Sequence, residues 1–392
     1  MKGFYEIDYQ EMEIPKIGIG ILGYGFMGKV HSNAYRQIPH ISWPPPAIPS
    51  LIAICGRDKV RVEDTAKRYG YNGFYTDWHC LVNDPRISMF DNCGPDNMHC
   101  EPSIAAVEAG KHVLCEKPLA VSAEDAKKML NAAKKSSVKH MCGYNYRFIP
   151  AVRLARELIE KGAIGEIFQF RGQYLQESGH RPSEPVENVW YASGARAGVL
   201  SGIGCHVIDM ARFLVGEIKA VSGFSKTFVP SRPKKSGECE EVRADEGSIA
   251  TLEFKNGATG TLESSGVSTG RKNQLAWEIN ASKGSLSFDL EDLNHLRVYL
   301  TDASVDEAMG FSNVSVTEPY HPFQSGLLPP GHNVGWEHGH MNEILHFIDA
   351  VVNDKPISPY GATFEDGYMV QLIIEAMKES SRTGRRIEIE SL

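Results

Sequence analysis

Three stretches of this sequence carry residue types whose spacing can do chemistry. Glu116-Lys117-Pro118 follows a short apolar run, Val113-Leu114-Cys115. Proline has no N–H and a fixed φ, so it ends the strand and leaves the Lys117 amine at its carboxyl end, where open α/β sheets bind their ligands. Downstream, Gly204-Cys205-His206-Val207-Ile208-Asp209 offers an imidazole with an ordinary pKa near ~6.5, suited to accepting a proton. Asp209, at helical i+3, can share a face with it, to orient the ring or bind a hydroxyl. Upstream stands Gly23-Tyr24-Gly25-Phe26-Met27-Gly28. A base, a cation for a developing alkoxide and a nicotinamide site are together what oxidation of a secondary alcohol needs. Singly, each has a plainer reading: a surface lysine, a capping or core histidine, a glycine-rich turn.

The elements that must position these groups come first as a β/α alternation. Lys16 to Leu22 reads as a buried strand running into the glycines, with helix-compatible residues from Lys29 to Gln37 behind. In that setting the first glycine makes the turn, the second admits a pyrophosphate and the third packs helix on strand. The helix N-terminus favours the phosphate charge. A proline-rich stretch, Pro39 to Pro49, reads as a surface loop before a strand at Leu51–Cys55. That strand ends in Gly56-Arg57-Asp58, without an acid at the first position, where a ribose 2′-hydroxyl is usually bound. Arg57 can stack on adenine or meet a 2′-phosphate, so NAD is expected and NADP stays open. Helices at Lys59–Tyr69 and Trp78–Asn83 alternate with strands at 74–76 and 87–92. The loop from Cys93 to His99 brings Pro95, Asn97 and His99 towards the nicotinamide half of the cofactor, with Glu116 on the same path. A helix at 102–109, a capping-box pattern at Ser122 and a strand at 138–144 complete six strands. This half, residues 1–148, is expected to be a dinucleotide-binding doubly wound parallel sheet of the Rossmann type.

Beyond it the pattern changes. An amphipathic helix at 151–161 is followed by strand-like runs at 167–176, 221–229, 248–254, 258–263, 275–281, 286–290 and 296–300. Asn256-Gly257 predicts a type I′ hairpin and Lys283-Gly284 a second tight turn. Consecutive strands with short turns predict an antiparallel sheet, and two helices, at 340–352 and 365–383, close the chain. The fold class expected is therefore α/β, with residues 149–392 forming an α+β domain with a large, mostly antiparallel open sheet.

At 392 residues the chain exceeds the usual size of a single core. A net charge of −8 without a long basic run makes nucleic acid and anionic membrane poor partners. No run approaches the ~18 apolar residues of a membrane span, and the N-terminus is polar, so a cytoplasmic protein is expected. The 8 cysteines form no C-x-x-C pair and read as free thiols in the core.

With these motifs placed in order, and with Asn145-Tyr146-Arg147-Phe148 and Phe364-Glu365-Asp366-Gly367 besides, the sequence resembles the Gfo/Idh/MocA oxidoreductases (glucose-fructose oxidoreductase, inositol dehydrogenase and relatives). The resemblance implies NAD(P)-dependent action on a sugar, glycoside or cyclitol. It also implies a homodimer or homotetramer built on the open sheet. It makes Lys117 and His206 the catalytic pair, with Asp209 also matching. The family pattern commonly carries an aspartate four residues before the histidine; here that residue is Gly202, which adds no charge and is expected to leave a gap. Gln173 to Gln176 and Pro330 to Glu337 look like the branch that oxidises glycosides or anhydrosugars. Arg147, Tyr174 and His180 are candidates for sugar hydroxyls, and Trp336 for stacking on a sugar ring. His332, His338 and His340 form a loose cluster, and no metal is expected, since a nicotinamide already supplies the electron chemistry. Two other readings are a glycosidase that oxidises and re-reduces its sugar through bound NAD, and a non-catalytic cofactor-binding regulator; the retained Lys117 and His206 speak against the latter.

Overall fold

A computed structural model describes residues 13–192, 198–302, 309–324 and 327–389; most of the polar N-terminal stretch lies outside the described residues. The chain divides into two compact units, each drawing on separate stretches. One comprises the chain up to Glu116 with Asn131–Pro150 and Thr317–Thr363, the other Lys117–Leu130, Ala151–Val316 and the chain from Phe364. A single boundary at residue 148 would have put 117–130 and 317–363 the other way.

The first unit holds strands β1 (Lys16–Leu22), β2 (Ile48–Cys55), β3 (Gly73–Tyr75), β4 (Met89–Asn92), β5 (His112–Glu116) and β6 (His140–Gly143). They form one sheet in the order β3-β2-β1-β4-β5-β6, parallel throughout. This is the doubly wound order, with its switch point between β1 and β4, so the loops after those two strands flank one crevice. Helices α1 (Phe26–Ile41), α2 (Lys59–Tyr69), α3 (Trp78–Asn83) and α4 (Cys100–Glu108) alternate with the strands. Helix α2 coincides with its expected bounds because both ends are signalled: Asp58 accepts from Arg61 N at 3.1 Å, and Gly70 closes it in the left-handed region.

Two expectations here fail. Helix α1 does not stop before Pro39 but runs through it, the His40 imidazole bonding the Arg36 carbonyl at 3.0 Å. Strand β2 begins at Ile48, inside the stretch read as loop. Pro49 is tolerated because it pairs with Ile17 on one side only, β3 reaching just Ala53 to Cys55 on the other.

The second unit is organised on a nine-stranded sheet. Helices α5 (Ala123–Lys134) and α6 (Pro150–Glu160) precede β7 (Ile167–Leu175), and α7 (Cys205–Leu214) precedes β8 (Ile218–Lys226). Then come a short ribbon, β9 (Ser231–Pro233) with β10 (Cys239–Glu241), and β11 (Gly247–Phe254), β12 (Thr259–Ser265), β13 (Gln274–Ala281), β14 (Gly284–Asp289), β15 (His295–Leu300) and β16 (Ser312–Ser315). After α8 (Glu337–Val352), which belongs to the first unit, α9 (Phe364–Thr383) and β17 (Ile387–Glu388) end the described chain. The order is β16-β15-β14-β13-β7-β12-β11-β8-β17. It is mixed rather than purely antiparallel, because β7 and β12 pair in parallel. The short β9, β10, β16 and β17 were not expected.

The turn at Asn256-Gly257 also differs from the type I′ form. Gly257 alone has positive φ, at 93°, and its N–H donates to the Phe254 carbonyl at 3.1 Å. This is a turn closed by a left-handed glycine, which spares Asn256 that conformation.

Along β7 and β11 alternate residues are buried, and helices α7 and α9 cover that inner face. Gly172 lets α7 approach, since a Cβ there would stand 2.6 Å from Val207 Cγ1. The other face leaves Phe224 and Ile249 more than half exposed. All 8 cysteines are free thiols, yet Cys80 and Cys239 are exposed rather than in the core.

Candidate active site

The glycine loop is built as a cradle. Gly23 has φ 99°, and a Cβ there would lie 2.4 Å from the Cys93 carbonyl oxygen; one at Gly28 would lie 2.1 Å from that of Gly23. At Gly25, by contrast, an added Cβ meets nothing within 4 Å. That open ground lies at the N-terminus of α1, which no side chain caps. Uncapped helical N–H groups beside an unobstructed glycine suit a pyrophosphate, so this chain's residues fit a dinucleotide. Phe26 is exposed, and its ring stacks on Trp336 at 5.9 Å between centroids, while Met27 is half-buried.

At the end of β2, the space of a Gly56 side chain is taken by Tyr24, whose Cε1 would stand 2.0 Å from an added Cβ. An acid cannot sit there while Tyr24 holds that position. Arg57 is exposed, and Asp58 is occupied as the cap of α2.

In the loop after β4, Asn92 gathers the backbone, its amide donating to the Met98 and His99 carbonyls at 2.9 and 3.3 Å and to Ser103 Oγ at 3.0 Å. Pro95 and Asn97 stand exposed on this loop. His99 is buried, with Nε2 donating to the Gly94 carbonyl at 3.1 Å, which makes it a brace for the loop.

Lys117 and His206 both belong to the second unit. His206 lies in the first turn of α7, directly after a π-helical turn, Leu200–Gly204, of the kind that recurs at functional sites. Asp245 caps this run, its carboxylate accepting from Leu200 N at 2.7 Å. Burial raises the Asp245 carboxyl above its ordinary value. The half-buried Lys117 donates from Nζ to the Gly202 carbonyl at 3.0 Å. The lysine is thus tied to the backbone of the helical run that carries His206, four residues before it.

Position 202 does not leave a gap. A Cβ there would lie 2.3 and 2.5 Å from Cζ3 and Cη2 of Trp190, so the edge of the indole fills the space. Trp190 Nε1 donates to Gln176 Oε1 at 3.2 Å, and Gln176 Nε2 to Asn273 Oδ1 at 2.8 Å. Tyr174 OH donates to that same Asn273 oxygen at 2.7 Å, and the Tyr174 ring lies 5.9 Å from the His206 ring. A continuous set of contacts therefore runs from the carbonyl that holds Lys117 round to His206. Trp190 and Asn273 in this set were not singled out from the sequence, because a loop tryptophan and a turn asparagine carry no pattern of their own.

The remaining candidates are placed as follows. Asp209 is fully enclosed. His180 donates from Nδ1 to the Glu177 carbonyl at 2.6 Å, and its Nε2 faces Arg181 Nε at 3.3 Å. Glu177 is held by Lys272, which keeps its carboxyl below the ordinary range. In the first unit, Arg147 is buried, and Trp336 Nε1 donates to Tyr146 OH at 3.3 Å. The three histidines of the expected cluster separate: His332 bonds the Pro329 carbonyl, His338 accepts from Gly335 N, and His340 packs with Trp336.

Family models match both halves of the chain: residues 17–144 fit the oxidoreductase family's NAD-binding Rossmann fold, and residues 152–287 the GFO/IDH/MocA C-terminal domain. The chain belongs to the GFO/IDH/MocA oxidoreductase family. Within this family it is similar to levoglucosan dehydrogenase of Pseudarthrobacter phenanthrenivorans, 38% identical over 97% of this chain and 100% of the relative. It is also similar to myo-inositol 2-dehydrogenase of Thermotoga maritima, 27% identical over 95% and 99% of the two chains. Among solved structures, levoglucosan dehydrogenase in complex with NADH and levoglucosan superposes with a TM-score of 0.92 at 37% identity, over 96% of this chain and 100% of that one. Family membership makes the chain an NAD-binding oxidoreductase. Among the described residues no helix is long and apolar enough to cross a membrane.

Proposed function

We propose that this chain oxidises a secondary hydroxyl of an anhydrosugar or related glycoside, with His206 as proton acceptor and Lys117 as the cation for the developing alkoxide. The observation that carries this reading is the Lys117 Nζ bond to the Gly202 carbonyl, 3.0 Å, within the helical run that ends in His206. It ties the strand-end amine and the imidazole to one rigid element, as a base and an electrophile acting on one hydroxyl must be. The substrate class follows the levoglucosan dehydrogenase likeness; cyclitols are the next class to test.

When bound, a nicotinamide supplies the acceptor for the carbinol hydride. The residues fitted to hold the cofactor are the Gly23 to Gly28 cradle, the exposed Pro95 and Asn97, and Arg57 on the adenosine side. The imidazole of His206 takes the hydroxyl proton, and the Lys117 ammonium donates to the oxygen as charge gathers there. Asp209, fully enclosed, suits orienting the helix turn that bears His206 rather than touching sugar. Tyr174, already engaged by Asn273, forms a wall beside His206 and fixes its ring.

The exposed sheet face with Phe224 and Ile249 fits a second copy of the chain, giving a homodimer or homotetramer. Eight unbridged thiols fit a reducing compartment, the cytosol.

The test is a panel of anhydrosugars, glycosides, inositols and free sugars, each with NAD and with NADP, followed by reduced-nicotinamide absorbance. Stoichiometric reduction with an anhydrosugar or glycoside is expected. Release of an aglycone without net reduced cofactor would replace this reading by the redox-glycosidase one.

A further inference from the structure

Beneath the strand end that carries Lys117, the first unit buries a set of ionisable groups for which the reaction above has no use. His31, on α1, is wholly buried. Its Nδ1 faces both oxygens of Asp91, at 3.1 and 2.9 Å, and its Nε2 faces Glu116 Oε1 at 3.1 Å. Asp91 is wholly buried on β4 and Glu116 is 3% exposed at the end of β5. Tyr35 OH adds a donor to Asp91 Oδ2 at 3.0 Å, and Cys93 Sγ lies 3.3 Å from the His31 ring. From α8, the His340 ring lies 5.4 Å away, with Glu343 3.7 Å behind it.

A neutral imidazole can donate from one nitrogen only, and an ionised carboxylate only accepts. A ring whose two nitrogens each meet an ionised carboxylate is therefore satisfied as imidazolium, and a neutral ring would require one of the two carboxyls to carry the proton instead. A cation held between two buried carboxylates offsets part of the cost of burying them. We infer that His31 is an imidazolium at neutral pH that clamps Asp91 and Glu116, and that it is a positioning residue for Glu116 and so for the Lys117 main chain. Gly143 supports this, because a Cβ there would come within 2.9 Å of Glu116 Oε1: the glycine on the neighbouring strand leaves room for the carboxylate where it stands. Burial pulls the His31 pKa down, but Asp91 and then Cys93 push it further up, and it ends well above the ordinary histidine value. The same ring could instead meet a cation together with His340 and Glu343, whose donor atoms lie within 4.8 Å of one another with His31. A protonated ring cannot ligate, so the two arrangements exclude each other.

The part of this inference that concerns the reaction rests on the proposed dehydrogenase reading; the charge state of His31 does not. The first experiment therefore uses the wild-type protein with nitrogen-15-labelled histidine, the His31 signal being assigned by its loss in His31→Gln. The ring nitrogens are expected to stay doubly protonated well past the ordinary ~6.5. A neutral ring at pH 7, or a stoichiometric metal ion removed by chelator, overturns the inference whatever the enzyme does.

The second experiment measures kcat against pH for His31→Gln, Glu116→Gln and the double variant. The inference makes His31 a cation that favours the ionised form of buried Glu116, so His31→Gln should lose about 10–100-fold in kcat near neutrality, recover as pH rises, and leave the substrate KM little changed. In the double variant that recovery should vanish, because the group that titrates is gone. Recovery persisting without Glu116 overturns the positioning role. Failure of the wild-type protein to reduce NAD with every sugar of the panel defeats the dehydrogenase reading instead, and leaves the charge-state result standing.

Discussion

Replacing Gly202 by alanine should destabilise this protein, although the local backbone argues the opposite. Gly202 lies in a helical run, its φ is not positive, and alanine in such a place is usually worth about 0.5–1 kcal/mol over glycine. Against that stands the indole of Trp190, two of whose ring carbons would lie 2.3 and 2.5 Å from the new methyl. Carbon atoms rest at about 3.5–4.0 Å, so the ring must retreat by roughly 1–1.5 Å. The Trp190 to Gln176 bond, 3.2 Å, is already at the long end of its range and would break. Overpacking of about 1–3 kcal/mol and a lost bond of about 0.5–1.5 kcal/mol outweigh the helical gain. The expected result is a net loss of about 1–3 kcal/mol, seen as a fall in Tm of roughly 2–4 °C per kcal/mol.

The same reasoning fixes the outcome in a second background. In Trp190→Ala protein the obstruction is gone, and Gly202→Ala should then stabilise, by about 0.5–1 kcal/mol. The sign of the substitution is predicted to reverse between the two backgrounds, which a double-mutant cycle by thermal or urea unfolding reads directly. Activity should follow, since Gln176 shares Asn273 with the Tyr174 hydroxyl beside His206. Stabilisation by Gly202→Ala in the wild-type background, or additive losses in the double variant, would refute the account of Trp190 as the occupant of that position.

Further outcomes follow from the site. His206→Ala should lower kcat by roughly 10²–10⁴, with Lys117→Ala comparable and the double variant little worse than either, as for groups acting as a unit; additive losses would separate their roles. Gly25→Val should weaken NADH binding, measured by fluorescence titration, because it fills the one glycine position of the loop that faces open ground; unchanged affinity would move the pyrophosphate elsewhere. Asp245, whose folded pKa is raised by burial, binds its proton more tightly folded than unfolded, so its contribution to stability is greatest at low pH and declines as pH rises through the folded value. Asp245→Asn, which keeps an acceptor for Leu200 N, should therefore flatten that decline in a series of urea melts across acid pH. Sedimentation at micromolar concentrations should show an assembly that Ile249→Asp disperses, and a wild-type monomer would refute the sheet-face interface.

The parts of this molecule that were legible in its sequence are those whose physics is local. Helices α2 and α3 fall where Asp58 and Asp77 cap them, and the glycine loop sits where a buried strand meets a helix. The illegible parts are settled by partners distant in the chain. Pro49 reads as a loop residue until β3 proves too short to need an N–H donor at that position. The segment 317–363 reads as more of the second half, yet its helix α8 buries Met341, Ile344 and Phe347 in the core with Ile19 and Tyr35. No periodicity says where an amphipathic helix docks.

Gly202 shows the same limit at the site itself. Seen in sequence, a glycine where the family pattern carries an acid is a loss, a missing charge that must be replaced. In the structure it is one half of an exchange: Trp190 occupies the volume and the Gly202 carbonyl occupies the bonding role, holding Lys117 at 3.0 Å. Tyr24 over Gly56 repeats the pattern in the first unit, an aromatic ring standing where an acid is usual. In both places the small residue is required by a large one at a distance in the chain. An acid placed at either position without removing its ring should therefore disrupt the site rather than improve it, and undiminished or raised activity in Gly202→Asp with Trp190 intact would show that reasoning to be wrong.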